Sequence, residues 1–315
     1  MRETLPRLSV VTPLFNCLAL TQAMVESLRS TIPEGLSHEI ILVDDGSTDG
    51  TRAWLATLGP PFRVVLNEKN LGYGAANNRG AAIAGGDILA LLNNDLVLPP
   101  GWIEPLLEAH RSLGPRAGVA GNVQIAVRTG EVDHAGIVFN HKGKPEHDRS
   151  PPSALSRLLA PVRRVPAVTG ACALVSRRLW TELGGFDEAY VNGCEDVDLC
   201  LRAAAAGKVN AVALRSVVRH HVSASPGRKE RDERNTQRLV LRWRSTLVRL
   251  GARAWCREHL ASHWAEPRDF PDERLARQAI LHVLGLTKRP PAGAIAGVQS
   301  AIEQELWRWS AMFHD

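Results

Sequence analysis

The first half of the chain alternates short apolar runs with longer stretches of mixed polarity. Leu8–Pro13, Ile40–Val43, Arg63–Leu66 and Ile88–Leu92 are compact runs rich in Val, Ile and Leu, the signature of strands in a covered sheet. Leu18–Leu28, a segment after Thr48 and the small-residue run Ala75–Ala84 have helical character and separate those strands. This alternation predicts an α/β architecture, a mostly parallel sheet flanked by helices, with ligands bound at the carboxyl ends of the strands. Asp44-Asp45-Gly46-Ser47 and Asn93-Asn94-Asp95 fall at two such ends.

The middle of the chain is less periodic. Strands are expected at Gly118–Ile125 and Ala135–Phe139, and residues 140–164 read as a surface loop. A strand-like run from Val165 to Val175 precedes a helix near Arg178–Leu183, the turn Gly184-Gly185-Phe186-Asp187, and a helix from Glu195 to Gly207. The sheet region is expected to end near Ser225-Pro226-Gly227, which divides the chain into domains 1–225 and 226–315. In the second domain Arg231, Arg234, Arg238, Arg242, Arg249 and Arg253 recur at helical spacing opposite Leu239, Trp243, Leu247 and Leu250. Gln299–Phe313 reads as a terminal helix.

Charge sharpens this division. The net charge of +5 lies wholly beyond residue 225, because residues 1–225 hold 22 basic and 22 acidic side chains. Five of the eight tryptophans also lie there. A solvated basic face explains the arginine stripe; an electrostatic contact of 228–257 with anionic membrane or a lipid-diphosphate acceptor is the functional alternative. No nucleic-acid recognition motif accompanies the charge, so nucleic acid is not expected as a partner. Five cysteines without a CxxC pair, an N-terminus without a signal peptide's apolar core and no membrane-length apolar run point to a soluble, cytoplasmic protein.

Three acidic clusters are the candidate chemistry. Asp44 and Asp45 end a strand, where a carboxylate can accept hydrogen bonds from a base or ribose, although a capped turn also explains them. Asp95 ends another strand, and a cation bridging a diphosphate needs few protein oxygens. Glu195, Asp196 and Asp198 open a helix, where the dipole alone favours acids; that explanation predicts exposed side chains. A functional Asp196 would instead face a cleft as general base. His220-His221 follow an apolar run and could ligate a metal. Gly72-Tyr73-Gly74-Ala75-Ala76-Asn77 lacks the third glycine of a dinucleotide fingerprint, and Glu258, His259 and His263 do not form HExxH.

In order along the chain, Val10–Asn16, Val43–Gly50, Asn70–Asn77, Leu92–Asp95, Gly184–Glu188 and Glu195–Leu199 resemble the motifs of family 2 glycosyltransferases of the GT-A fold, in particular the bacterial rhamnosyltransferase-like branch. The resemblance covers Leu8 to about Ser225. It implies an inverting transfer of a sugar from a UDP- or dTDP-sugar to a hydroxyl of a glycan, lipid-linked or protein acceptor in surface-polysaccharide assembly. It implies that Thr12, Pro13, Asp44, Asp45, Asn77, Arg79 and Asn94 bind the donor. Asp95 and His220, less so His221, would hold Mn or Mg, with Asp196 as base and Glu195 supporting it. Asn93-Asn94 stand where many relatives carry more acid. The enzyme would work in the cytoplasm or on the inner face of the plasma membrane. A sugar-nucleotide nucleotidyltransferase would need a glycine-rich basic loop near the N-terminus, which Val11–Asn16 does not offer. A non-catalytic sugar-nucleotide binder would not need Asp95 and Asp196.

Overall fold

The computed structural model describes residues 7–221, 229–265 and 273–313. The chain runs β1 (Leu8–Leu14), α1 (Leu18–Thr31), β2 (His38–Asp44), α2 (Thr51–Leu55), β3 (Phe62–Leu66), α3 (Tyr73–Ile83), β4 (Ile88–Leu92) and β5 (Leu96–Val97). It continues through α4 (Glu104–Leu113), β6 (Ala117–Ala126), β7 (Val132–His134), β8 (Ile137–Phe139), β9 (Pro145–His147), α5 (Ala154–Leu159), β10 (Val162–Arg164) and β11 (Cys172–Ser176). The remainder is α6 (Arg177–Leu183), α7 (Glu195–Ala205), β12 (Val209–His220), α8 (Lys229–Ala265), α9 (Glu273–Val283) and α10 (Ala292–Met312).

Ten strands form one sheet in the order β10-β12-β6-β11-β4-β1-β2-β3, with β5 on β12 and β7 on β6. The pairings β3–β2–β1–β4 and β6–β12 are parallel, as the alternation predicts. β11 lies antiparallel between β4 and β6, and the short β5, β7 and β10 are also antiparallel, so the sheet is mixed. The face of β1, β2 and β4 that carries Val10, Leu42 and Ala90 packs with Met24 and Leu28 of α1 and Leu106 of α4 in a continuous apolar core. On the opposite face α3 comes close to the sheet because its side chains are small. A Cβ at Gly80 would sit 2.5 Å from Val11 Cγ1 and 2.9 Å from Val43 Cγ2.

The middle of the chain departs from the sequence expectations. Residues 140–164 are not an irregular loop but carry β9, α5 and β10; the strand expected at Ala135–Phe139 is shortened to β8, and β7 precedes it. The run from Val165 becomes a strand only at Cys172. The boundary placed at Ser225-Pro226-Gly227 lies outside the described residues. Two compact units emerge, Met1–Ile137 with His147–Arg228, and Val138–Glu146 with Lys229–Asp315.

In the second unit α8 is interrupted at Trp243, whose φ of −113° is not helical. Val298, Ile302 and Trp309 of α10 and Leu247 and Ala252 of α8 are fully buried. The segment Val138–Glu146 joins this unit through charge. Lys142 Nζ and Lys144 Nζ lie 3.1 and 2.8 Å from the two carboxylate oxygens of Glu305, and Arg308 Nε donates to it at 2.9 Å. Several of the arginines on α8 are engaged within the unit: Arg244 pairs with Glu303, Arg253 donates to the Val283 carbonyl, and Arg234 stacks on Phe313. No helix among the described residues is long and apolar enough to cross a membrane.

Two outcomes follow. Gly80→Ala should lower stability by about 1–3 kcal/mol in chemical denaturation, because the clash with two valines outweighs the ~1 kcal/mol gain in helix propensity. Burial alone would raise the Glu305 carboxyl, but Lys144, Lys142 and Arg308 outweigh it and hold it down at about 2. A depressed folded-state pKa contributes stability above the unfolded carboxyl value that is lost as pH falls through the folded one. Melting curves between pH 5 and about 2 should therefore record a loss of about 2–3 kcal/mol that Glu305→Gln, already lacking the charge, does not reproduce.

Candidate active site

The parallel strands β1, β2, β4 and β12 end at one edge of the sheet, and β11, running the other way, starts there. Asn93 N–H donates to the Ala171 carbonyl at 2.8 Å, which fixes the exit of β4 beside the entry to β11. Asp44, Asp95, His220 and Gly170 therefore share an edge despite their separation in sequence.

Asp44 and Asp45 are buried and occupied by the protein itself. Asp44 accepts from Ser47 N–H at 3.2 Å and from Arg52 Nε at 2.7 Å. Asp45 Oδ1 accepts from Asn67 Nδ2 at 2.7 Å and Leu71 N–H at 2.9 Å, and its Oδ2 from Gly72 N–H at 2.9 Å. A carboxylate has about four acceptor positions, so Asp45 keeps one open. The turn after it needs Gly46, whose φ is +83° and whose missing Cβ would lie 2.7 Å from the Lys69 backbone. Arg79 Nη1 donates to Asn67 Oδ1 at 2.7 Å, so it braces the same network. Asn94 Nδ2 donates to Thr21 Oγ1 of α1 at 2.9 Å. Thr12 Oγ1 and Asn77 Oδ1 are buried without a hydrogen-bond partner, while Pro13 is half-buried at the end of β1.

The acids that open α7 divide by role. Glu195 and Asp198 are buried, not exposed as the helix-dipole explanation alone predicts. Glu195 accepts from Gly193 N–H at 2.6 Å, and Asp198 pairs with Arg202 at 2.7 Å. Asp196 is half-buried, and its Oδ2 accepts from Gly170 N–H at 2.8 Å. The Tyr73 hydroxyl donates to the Gly170 carbonyl at 2.8 Å, so the backbone of a single residue joins Tyr73 to Asp196. Burial first, then the charges of Asp196, Glu195 and Asp95, push the Tyr73 phenol well above its ordinary value. Three carboxylates from two distant segments thus act on one hydroxyl, which stays protonated.

The register of β12 on β5 sets His220 opposite Leu96 and bonds His221 N–H to the Asp95 carbonyl at 3.0 Å. This brings His220 Nε2 within 3.2 Å of Asp95 Oδ1. Neither Asp95 Oδ1 nor His220 Nδ1 makes a hydrogen bond. A neutral imidazole lone pair facing a carboxylate oxygen is repulsive, so this spacing suits a proton or a cation between them. Asp95 Oδ1 and His220 Nε2 are the atoms that could each give one ligand to a divalent ion; no group of three or more His, Cys, Asp or Glu that could enclose one exists among the described residues. Two protein ligands alone do not complete a divalent ion's shell, so any ion held here would need further oxygens from outside the protein.

Tyr73, Gly170 and His134 complete this edge and were not singled out from sequence as site residues. His134 on β7 is fully buried, takes the Thr169 N–H on Nε2 at 3.4 Å, and has no partner at Nδ1. Burial, with His147 beside it, keeps it well below its ordinary value, hence neutral. A three-residue strand that is defined by its pairing with β6 leaves no periodic signal to find it.

The profile of glycosyl transferase family 2 matches residues 9–184. The chain is 34% identical over 211 residues to an N-acetylglucosaminyl-diphospho-decaprenol L-rhamnosyltransferase of Mycobacterium tuberculosis, covering 60% of this chain and 68% of that one. It is 32% identical over 231 residues to the O-antigen biosynthesis protein RfbC of Myxococcus xanthus, and there it spans 70% of its own length but only 18% of that much longer protein. The crystal structure of GalNAc-T7 with UDP, GalNAc and Mn2+ superposes with a TM-score of 0.62 at 16% identity, over 98% of this chain and 57% of that one. That likeness establishes the GT-A fold, and the profile match, which spans more than half of the sequence and every one of the strand ends from β1 to β11, makes this chain a member of glycosyl transferase family 2.

Proposed function

We propose that this chain transfers a sugar from a nucleoside-diphosphate donor, a UDP- or dTDP-sugar, to an acceptor hydroxyl with inversion at the anomeric carbon. The observation that carries the reading is the meeting of Asp95–His220 and Asp196 around Tyr73 at one sheet edge. Residues 1–225 would hold the chemistry and 226–315 would support it. The similarity to a rhamnosyltransferase whose acceptor is a lipid diphosphate, and to an O-antigen biosynthesis protein, favours a lipid-linked glycan acceptor in surface-polysaccharide assembly at the cytoplasmic face of a membrane.

Asp95 and His220 would hold Mn2+ or Mg2+, which supplies charge compensation for the departing diphosphate. Asp45, through its open acceptor position, and Asp44 would lie at the nucleoside end, with Thr12, Pro13 and Asn77 beside them. Arg79 and Asn94 would act by bracing that pocket. Asp196 would take the acceptor's proton on the carboxylate that Gly170 N–H now orients. Glu195, buried and bonded to Gly193, would hold Asp196 at the start of α7. Tyr73 keeps its proton, so it fixes Gly170 as a neutral donor and does not compete as a base. A single attack from the acceptor side gives the opposite anomer, which product NMR with an authentic acceptor would read.

Asp196→Asn should retain donor binding in a thermal-shift titration yet lose transfer by about 10²–10⁴-fold, the usual scale for a general base; near-normal turnover would discard the assignment. Asp95→Ala and His220→Ala should each abolish the extra thermal stabilisation that Mn2+ gives in the presence of UDP or dTDP, with the metal-free melting point little lowered. An unchanged manganese response in both variants would remove these two residues from the metal site.

A further inference from the structure

We propose that α5 and its arginine fringe dock this chain on the surface of a bilayer containing anionic phospholipid. The inference is independent of the transfer chemistry and of the arginine stripe on α8. Within six residues α5 presents Leu155, Leu158 and Leu159 at 64, 66 and 72% exposure, and it buries none of its side chains. Six residues are too few for a helix to persist on local propensity. A local cap and two tertiary bonds hold this one instead. Ser153 caps its first turn by accepting from Ser156 N–H at 3.1 Å. Arg215, reaching over from β12, donates Nε to the Arg157 carbonyl at 2.8 Å and Nη2 to the Leu158 carbonyl at 3.2 Å. The fold thus fixes three leucines outward without using them in the core.

The segment's own charge has one sign: residues 149–164 contain four arginines and no acidic residue. Arg163 is paired with Asp148 and Arg149 with Asp133, whereas Arg164 and Arg215 are exposed. Arg157, Leu158 and Arg215 border a wide depression of about 470 Å³ that suits a phosphate headgroup. A protein partner would call for a concave apolar seat or matching acids. A projecting apolar turn ringed by guanidinium groups has the complementarity of an anionic lipid surface, with the leucines among the acyl chains and the arginines at the phosphates. The segment leaves the candidate site at His147, beside Asp133 and His134, and returns to it at Thr169-Gly170.

Vesicle flotation of the full chain tests this. Wild type should bind vesicles of phosphatidylglycerol and phosphatidylcholine, far less so pure phosphatidylcholine, and the binding should weaken with added salt. Leu155→Ser/Leu158→Ser/Leu159→Ser should lower the partition coefficient by at least about 30-fold, and Leu158→Ser alone by about threefold, with melting temperatures near that of wild type. Arg164→Gln should flatten the salt dependence. Leu284→Ser/Leu286→Ser, which alters an exposed leucine pair elsewhere in the chain, should bind as wild type does. The proposal is overturned if wild type ignores anionic vesicles, if the serine variants bind undiminished, or if only the 284/286 pair or arginine variants of α8 lose binding. It is equally overturned if sedimentation velocity finds that the leucines serve only a dimer of this chain.

Discussion

One residue, Gly170, ties the elements of the candidate site together through its backbone. Its N–H is held by Asp196 and its carbonyl by the Tyr73 hydroxyl, so segments some hundred residues apart meet at two hydrogen bonds. The meeting tolerates no side chain: a Cβ on Gly170 would lie 2.8 Å from Tyr73 Oη and 3.4 Å from Asp196 Cβ. The two bonds also fix orientation. A carboxylate that already accepts one N–H on Oδ2 presents its remaining lone pairs in a defined direction, which is what a positioned base requires.

The position of Tyr73 is in turn set from β2. Asp45 holds Leu71 N–H and Gly72 N–H, and Tyr73 begins α3 directly after them. Asn192 Oδ1, from the loop before α7, accepts the Tyr73 N–H at 3.0 Å. The DDGS turn and the start of α7 are therefore mechanically linked through a single tyrosine. Asn16 ties the loop after β1 to the same DDGS turn, because its side chain accepts from Thr48 N–H while its own N–H reaches Ser47 Oγ. Acids that a sequence reader assigns to ligand contact also carry the loop architecture, and substitutions at Asp44 or Asp45 would mix the two effects.

The parts of this design that could be read from sequence are those with local causes. Strands β1, β2 and β4 are legible because nearly every residue is buried, giving uninterrupted apolar runs that end in polar residues. The acidic turns at 44–49, 93–95 and 195–198 stand out for the same reason, as does the fold class. What could not be read is set by distant pairing. Nothing around Cys172 says that β11 runs antiparallel, since that direction comes from its bonds to β4 and β6. The approach of His220 rather than His221 to Asp95 is a matter of register on the two-residue β5. Val138–Glu146 groups with the C-terminal helices because Lys142 and Lys144 meet Glu305, more than 150 residues away. Tyr73 was visible only as one letter of a glycine-rich motif, and its role depends on Gly170.

Several buried polar groups of the first unit are fully engaged: Glu39 takes Ser9, Arg63 and Gly85, and Asn210 spans Val119, Pro166 and Cys200. A group of others, near β5 and the ends of β6 and β12, is not. Asn93 Oδ1, Asp95 Oδ1, Gln124 Oε1, His134 Nδ1 and His220 Nδ1 are all buried and make no hydrogen bond within the protein, although Asp95 Oδ1 faces His220 Nε2. A buried polar atom left unmatched costs on the order of 1–3 kcal/mol, against a total fold stability of about 5–15 kcal/mol. A packed apolar core at the same place would be more stable, and nothing in the strand pairing forbids one. Retaining polar atoms there makes physical sense where a charged group is to be received, since prepositioned dipoles in a low-dielectric recess act on it without reorganising. These atoms share the sheet edge that carries the oriented carboxylate of Asp196, so a charged ligand received there would meet unmatched polarity and a positioned acid together.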